Sequence, residues 1–223
     1  QQINYQSVNK PDFFIAETIE YLGEALIALE AIKDAGYEAM ITLGFKYDTM
    51  TLDGVEMTEA FKRIEAEGAE IVGLNCFRDP DRMLPLAKEV REAVKCHVAT
   101  QPVAYKCSDD KPYFQIQMVG DHPAFPLELD SFTLSRIEMA EYAVKARDIG
   151  INFIGSCCGS GPHHVRAMAE ALGRTPRGSR YSPKLEVHPI IGNETHVREQ
   201  DSRILCEQKY GKAHCHFMPK EEE

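Results

Sequence analysis

Two of the seven cysteines in this 223-residue chain, Cys157 and Cys158, stand side by side in the stretch FIGSCCGSGPHH (residues 153–164). Adjacent cysteines rarely bridge each other, because the small ring they would close strains the usual disulfide geometry. A pair of thiols set between glycines suits a task that needs two sulfurs. A third thiol, Cys76, closes the run EIVGLNC (residues 70–76), where a second strand would end. Parallel α/β folds gather their reactive groups at C-terminal strand ends. If both strand ends face the same opening, three thiolates converge. Three protein ligands plus an open fourth position describe a catalytic zinc site, whereas a structural site is closed by four. An all-sulfur donor set selects zinc over magnesium or calcium. The competing reading, three small buried hydrophobes, stays open at this point.

The elements that must position these sulfurs can be read from the hydrophobic pattern. Five short apolar runs stand out: DFFIAE (12–17), EAMITLGF (38–45), EIVGLNC (70–76), CHVATQPV (96–103) and INFIGSCC (151–158). None alternates cleanly, which is how a strand covered on both faces reads. Helical stripes lie between them. Leu22, Leu26, Leu29 and Ile32 share one face of a helix that Gly36 can end, and Phe61 with Ile64 begins another that stops near Gly68. Leu86, Val90 and Val94 follow at steps of four, and Ile137, Ala140 and Val144 lead to Gly150. Pro162 suits the first turn of a last helix, with Val165, Met168, Ala169 and Leu172 as its buried stripe before Gly173. Strand and helix alternate five times, which predicts a parallel sheet with covering helices. One connection, residues 104–132, is long and rich in proline and aromatic residues, as functional loops often are.

Composition narrows the function. At 43% hydrophobic and 27% charged the chain can bury a sizeable core. A net charge of −10 argues against nucleic-acid and anionic-membrane partners, which favour a basic face. No apolar run reaches the ~18 residues that span a bilayer, and the start lacks a secretory signal pattern. The odd cysteine count without regular spacing speaks for reduced thiols and a cytoplasmic setting.

The motifs GLNCFRDP (73–80) and FIGSCCG (153–159), with FFIAE (13–17) and QPVAY (101–105), resemble the homocysteine S-methyltransferase family. The Asn-Cys-x-x-Asp-Pro form and the QPVAY run are most similar to its betaine–homocysteine branch. The resemblance covers residues 11 to 173 in matching order. It implies a (β/α)8 TIM-type barrel of which this chain holds about the last five β/α units. The first three units, with their Asp-Gly-Gly homocysteine loop, have no counterpart here, so the chain is expected to be part of a longer barrel or half of an assembled one. It further implies a zinc ion, Zn(2+), on Cys76, Cys157 and Cys158, and Glu17 as the residue that holds the amino group of homocysteine. The implied activity moves a methyl group from an onium donor, betaine-like or S-methylmethionine, to the homocysteine thiol, giving methionine. Aromatic side chains can hold such a donor by cation–π attraction, and Tyr113, Phe114 and Phe125 in the long connection are candidates. Thr18 stands where betaine-using members carry tyrosine, which favours a sulfonium donor, and Ser156 replaces a glycine. The alternative is a non-catalytic relative acting as a zinc-bearing interaction subunit.

The barrel portion is expected over 1–173, with 174–223 as an extension, either an oligomerisation arm in a homo-oligomer or a disordered tail. That tail carries His214, Cys215 and His216 with Cys206 upstream, a set that fits no strong zinc spacing. His163 and His164, after Pro162, read as two exposed first-turn histidines.

Overall fold

The computed structural model describes residues 1–183. A short helix, α1 (Gln2–Gln6), precedes strand β1 (Phe13–Ile19), helix α2 (Leu22–Asp34) and strand β2 (Glu38–Leu43). Helix α3 (Met57–Ala66), strand β3 (Ile71–Asn75), helix α4 (Pro80–Ala93) and strand β4 (His97–Gln101) continue the alternation. The long connection carries a small antiparallel ribbon, β5 (Met118–Val119) with β6 (His122–Pro123). Helix α5 (Arg136–Asp148), strand β7 (Phe153–Ile154) and helix α6 (Pro162–Ala171) follow. The main sheet runs β1-β2-β3-β4-β7, with every neighbouring pair parallel. Among the described residues β1 and β7 each pair on one side only.

The chain divides into two compact units, Gln1–Pro176 and Arg177–Glu223. Of the second, only the residues up to 183 are described, with a 3-10 turn over Arg177–Tyr181. Cys206, His214, Cys215 and His216 lie outside the described residues. No described helix is long and apolar enough to cross a membrane. The five cysteines among the described residues are all free thiols.

Local chemistry sets the helix starts. The Asp53 carboxylate, from the loop after β2, accepts the Leu22 and Gly23 N–H groups at 2.9 Å and caps α2 from a distance. Ser135 and Glu138 form a capping box on α5, and Pro162 sits in the first turn of α6. The core lies between sheet and helices, where Phe14, Ile41, Leu43, Val72, Leu74 and Val98 meet Leu29, Phe61, Ile64 and Val90. Each such side chain contributes roughly 1.5–3 kcal/mol by leaving water. The sheet is tightest at Gly73, where a Cβ would stand 2.2 Å from the Ala99 carbonyl oxygen.

Three expectations are corrected. Strand β1 is one-sided, with Phe14 buried and Ile15 at 42% exposure, because it has a neighbour on one edge only. Helix α5 buries Met139, Tyr142, Ala143 and Ala146, while Ile137, Ala140 and Val144 are half-buried. Both faces of α5 are apolar, so periodicity does not choose between them. The choice follows Tyr142, whose hydroxyl donates to the Thr100 carbonyl at 2.8 Å and lies 3.2 Å from that of Gly155. In α6, Val165 is exposed and His164 is buried at 1% exposure. His164 Nδ1 accepts the Gly161 N–H at 3.0 Å, and its Nε2 donates to the Leu134 carbonyl at 2.8 Å. That pairing needs the neutral ring, and burial holds the His164 pKa below its ordinary value.

Candidate metal centre

The three cysteines leave their strands on either side of β4, which holds them with its backbone. Cys76 N–H donates to the Gln101 carbonyl at 3.0 Å, and Cys157 N–H donates to that of Pro102 at 2.8 Å. The Ala104 N–H in turn donates to the Cys158 carbonyl at 2.8 Å. Neighbouring strands lie ~4.8 Å apart, so β3 and β7 are separated by about twice that. The sulfurs close this gap because Cys76 (φ 62) and Phe77 (φ 56) adopt left-handed backbone and turn the chain over the end of β4. Non-glycine residues rarely take this conformation, and such strain clusters at functional sites.

The outcome is a sulfur cluster. Cys76 Sγ and Cys158 Sγ are 3.6 Å apart, Cys157 Sγ and Cys158 Sγ 3.9 Å, and all three lie within 4.8 Å of one another. Two sulfurs on a tetrahedral ion at ~2.3 Å would be about 3.8 Å apart, so the donor set fits one soft metal ion and supplies three of its four ligands. Cys76 is buried, Cys157 half-buried and Cys158 exposed. The sulfurs lie within hydrogen-bond reach of one another. Hydrogen bonds from Cys157 and then Cys76 pull Cys158 down to about 3, while bonds to Cys157 and Cys158, with burial, push Cys76 up. Ser156 donates its hydroxyl to the Pro102 carbonyl at 3.3 Å.

The rest of GLNCFRDP supports the turn. Phe77 packs against Gly44, where a Cβ would stand 2.4 Å from the ring, and the Lys46 ammonium sits 4.7 Å above the ring while pairing with Glu20 at 2.8 Å. Arg78 Nε donates to the Phe45 carbonyl at 2.9 Å. Asp79 caps α4 through the Arg82 N–H, pairs with the Arg82 guanidinium at 3.0 Å, and accepts the Cys107 N–H at 2.8 Å. Through this last bond the long connection is tied to the start of α4.

Asn75, fully buried, lies one residue before Cys76 and fixes the end of β1. Its Oδ1 accepts the Thr18 N–H at 2.8 Å. Its Nδ2 reaches Thr18 Oγ1 at 2.6 Å and Glu17 Oε2 at 3.3 Å. Thr18 has φ 59, a genuine outlier for a β-branched residue, and Asn75 holds it there. The Glu17 side chain therefore ends near the sulfurs, close enough that its charge opposes ionisation of Cys158.

Residues 104–132 build a second small core over the cluster. Cys76, Phe77, Val103, Cys107, Tyr113, Phe114, Ala124 and Leu129 are buried together, with Tyr105 and Cys157 packed against them. Tyr105 stacks on Phe114 at 5.5 Å and lies over Gly159 (φ +78), where a Cβ would meet its ring at 2.6 Å. Tyr113 donates its hydroxyl to that of Tyr47 at 2.9 Å. Of the three aromatic candidates, Tyr113 and Phe114 are spent on packing, and Phe125 is the exposed one at 42%.

A family model described as Homocysteine S-methyltransferase matches residues 1–172. The chain belongs to the homocysteine S-methyltransferase family. It is 35% identical to betaine–homocysteine S-methyltransferase 1 of Xenopus laevis, over 95% of this chain and 54% of that protein. With an S-methylmethionine–homocysteine S-methyltransferase of Pongo abelii it shares 32% identity, over 86% of this chain and 53% of that protein. The chain thus spans about half the length of the relatives it matches. Among solved structures, the homocysteine methyltransferase MmuM from Escherichia coli in its apo form gives a TM-score of 0.56 at 12% identity, over 76% of this chain and 54% of that one. A metallated form of the same enzyme gives 0.55 at 13% identity, over 76% of this chain and 48% of that one, and the likeness supports the parallel α/β fold.

The sequence-predicted Cys76, Cys157, Cys158 and Glu17 are thus brought to one end of the sheet. Asn75, Gln101 and Tyr105 stand in the sequence motifs GLNCFRDP and QPVAY, but the motifs alone gave none of the three a role.

Proposed function

We propose that this chain carries the thiol-activating half of a homocysteine S-methyltransferase, which moves a methyl group from an onium donor to homocysteine and gives methionine. The observation that carries the reading is the convergence of Cys76, Cys157 and Cys158 within 4.8 Å at the C-terminal end of a parallel sheet, beside Glu17. The three cysteines would hold zinc, the ion an all-sulfur set favours. When bound, zinc supplies the Lewis acidity that keeps an incoming thiol ionised at neutral pH.

The remaining work belongs to the chain. Glu17, steadied by Asn75, would accept hydrogen bonds from the substrate ammonium. The second core shields Cys76 and Cys157 from water, whereas the exposed Cys158 marks the side of entry. The substrate thiolate then attacks the methyl carbon in line with the leaving group. A new S–C bond forms as the onium C–N or C–S bond breaks, the electron pair stays on the donor's nitrogen or sulfur, which becomes neutral, and the thiol proton has already passed to solvent on ionisation. The Thr18 hydroxyl is committed to Asn75 and offers no aromatic face for a quaternary ammonium. This supports a sulfonium donor such as S-methylmethionine over betaine.

Zinc content of the purified chain tests the reading, with Cys158→Ser as control. About one zinc per chain, lost in the variant, is the expected result. A parent chain without zinc overturns it. A zinc-bearing chain that shows no homocysteine-dependent demethylation of an onium donor would be the non-catalytic subunit instead.

A further inference from the structure

Gln101 ends β4 directly between the two strands that supply the sulfurs. It pairs in register with Asn75 on β3, and its Cγ and Nε2 lie 2.9 and 3.4 Å from where a Gly155 Cβ would be. Asn75 and Gln101 therefore share one face of the sheet, and Gly155 leaves room for the longer side chain. The backbone of Gln101 is already used, since its carbonyl accepts the Cys76 N–H at 3.0 Å. Its side-chain Oε1 is buried and, among the described residues, has no hydrogen-bond partner. A buried acceptor left unpaired is costly and rare in folded proteins, so a partner is to be sought.

The chemistry of the neighbours says what that partner is. Asn75 is fully engaged: its Oδ1 by the Thr18 N–H, its Nδ2 by Thr18 Oγ1 and Glu17. On this face the Glu17 carboxylate and the buried Gln101 Oε1 are acceptors with capacity left for a donor. A quaternary ammonium or a sulfonium centre lacks the N–H that the unpaired Oε1 needs. A primary ammonium is a pure donor with three N–H groups and fits.

We infer that Gln101 is a positioning residue that accepts a hydrogen bond from the α-ammonium group of the thiol substrate, together with Glu17, and so fixes which way the thiol swings toward the cysteines. The inference rests on the proposed homocysteine activity.

The experiment is calorimetric titration of the zinc-loaded chain with homocysteine and with 4-mercaptobutanoate, the same thiol acid without the amino group. Wild type, Gln101→Leu and Gln101→Glu are compared, with zinc content and thermal unfolding recorded for each. The leucine variant is expected to keep its zinc, to bind homocysteine roughly 10- to 100-fold more weakly, the size expected for a hydrogen bond to a charged group, and to bind 4-mercaptobutanoate as wild type does. The glutamate variant keeps an acceptor and is expected to restore homocysteine binding. Equal losses for both thiols, or no loss for homocysteine, overturn the inference while leaving the family reading in place. A wild-type chain that holds zinc yet binds neither thiol overturns both.

Discussion

Replacing Asn75 with leucine, which is close in size and apolar, removes the buttress under the strained end of β1. Asn75 makes two short hydrogen bonds to Thr18, at 2.8 and 2.6 Å, and a longer one to Glu17 at 3.3 Å. Each of the short bonds is worth about 1 kcal/mol net, and stranding the half-buried Thr18 N–H adds about 1 kcal/mol more. The expected loss is about 3 kcal/mol, a large share of the ~5–15 kcal/mol that holds a typical domain together. Urea unfolding followed by circular dichroism measures it. With a slope near ~2 kcal/mol/M, the midpoint should fall by about 1.5 M. Thr18→Gly is the partner variant: it gives up one bond to Asn75 but relieves roughly 1–2 kcal/mol of left-handed strain at φ 59. It should be nearly neutral alone, and in the double variant the loss from Asn75→Leu should shrink. An Asn75→Leu chain within about 0.5 kcal/mol of wild type, or strict additivity of the two changes, would refute the buttress argument.

His164 is held neutral in the fold by its two hydrogen bonds, with its pKa depressed below the ordinary 6.5. Its contribution is therefore complete above pH 6.5 and lost as pH falls through the lower folded value. The stability gap between wild type and His164→Leu should narrow from pH 8 to pH 5, and a constant gap contradicts this. Gly73→Ala places a Cβ 2.2 Å from the Ala99 carbonyl oxygen, a backbone atom that cannot step aside. It should cost about 3 kcal/mol or block folding, read as midpoint or soluble yield. Tyr142→Phe removes the hydroxyl's bond to the Thr100 carbonyl, which keeps the Gly155 N–H at 3.0 Å, and thermal unfolding should show a loss of about 1 kcal/mol.

The five strand–helix units were legible because buried parallel strands and amphipathic helices have different hydrophobic periods, and glycine ended several helices where the pattern stopped. The face of α5 was not legible. Ile137 and Val144 compete with Met139, Tyr142 and Ala146 on equal terms until the Tyr142 hydroxyl finds the ends of β4 and β7. His164 misled for a related reason, since its ligands, Gly161 and Leu134, include one that lies 30 residues away. The long connection read as a functional loop, but its packing as a second core over Cys76 and Cys157 was not legible.

At the candidate site, residue type marked the sulfurs at two strand ends, and the family resemblance added the carboxylate at a third. Distance was decided by the tertiary structure. Cys76 and Cys158 are separated by 82 positions in the chain and meet at 3.6 Å where the left-handed turn at Cys76 and Phe77 brings the end of β3 toward the segment after β7. The same holds for Asn75, Thr18 and Gln101, whose roles depend on partners in other strands. A sequence lists what each side chain can donate or accept, and the packed sheet settles which of those capacities are spent and which are left for a ligand.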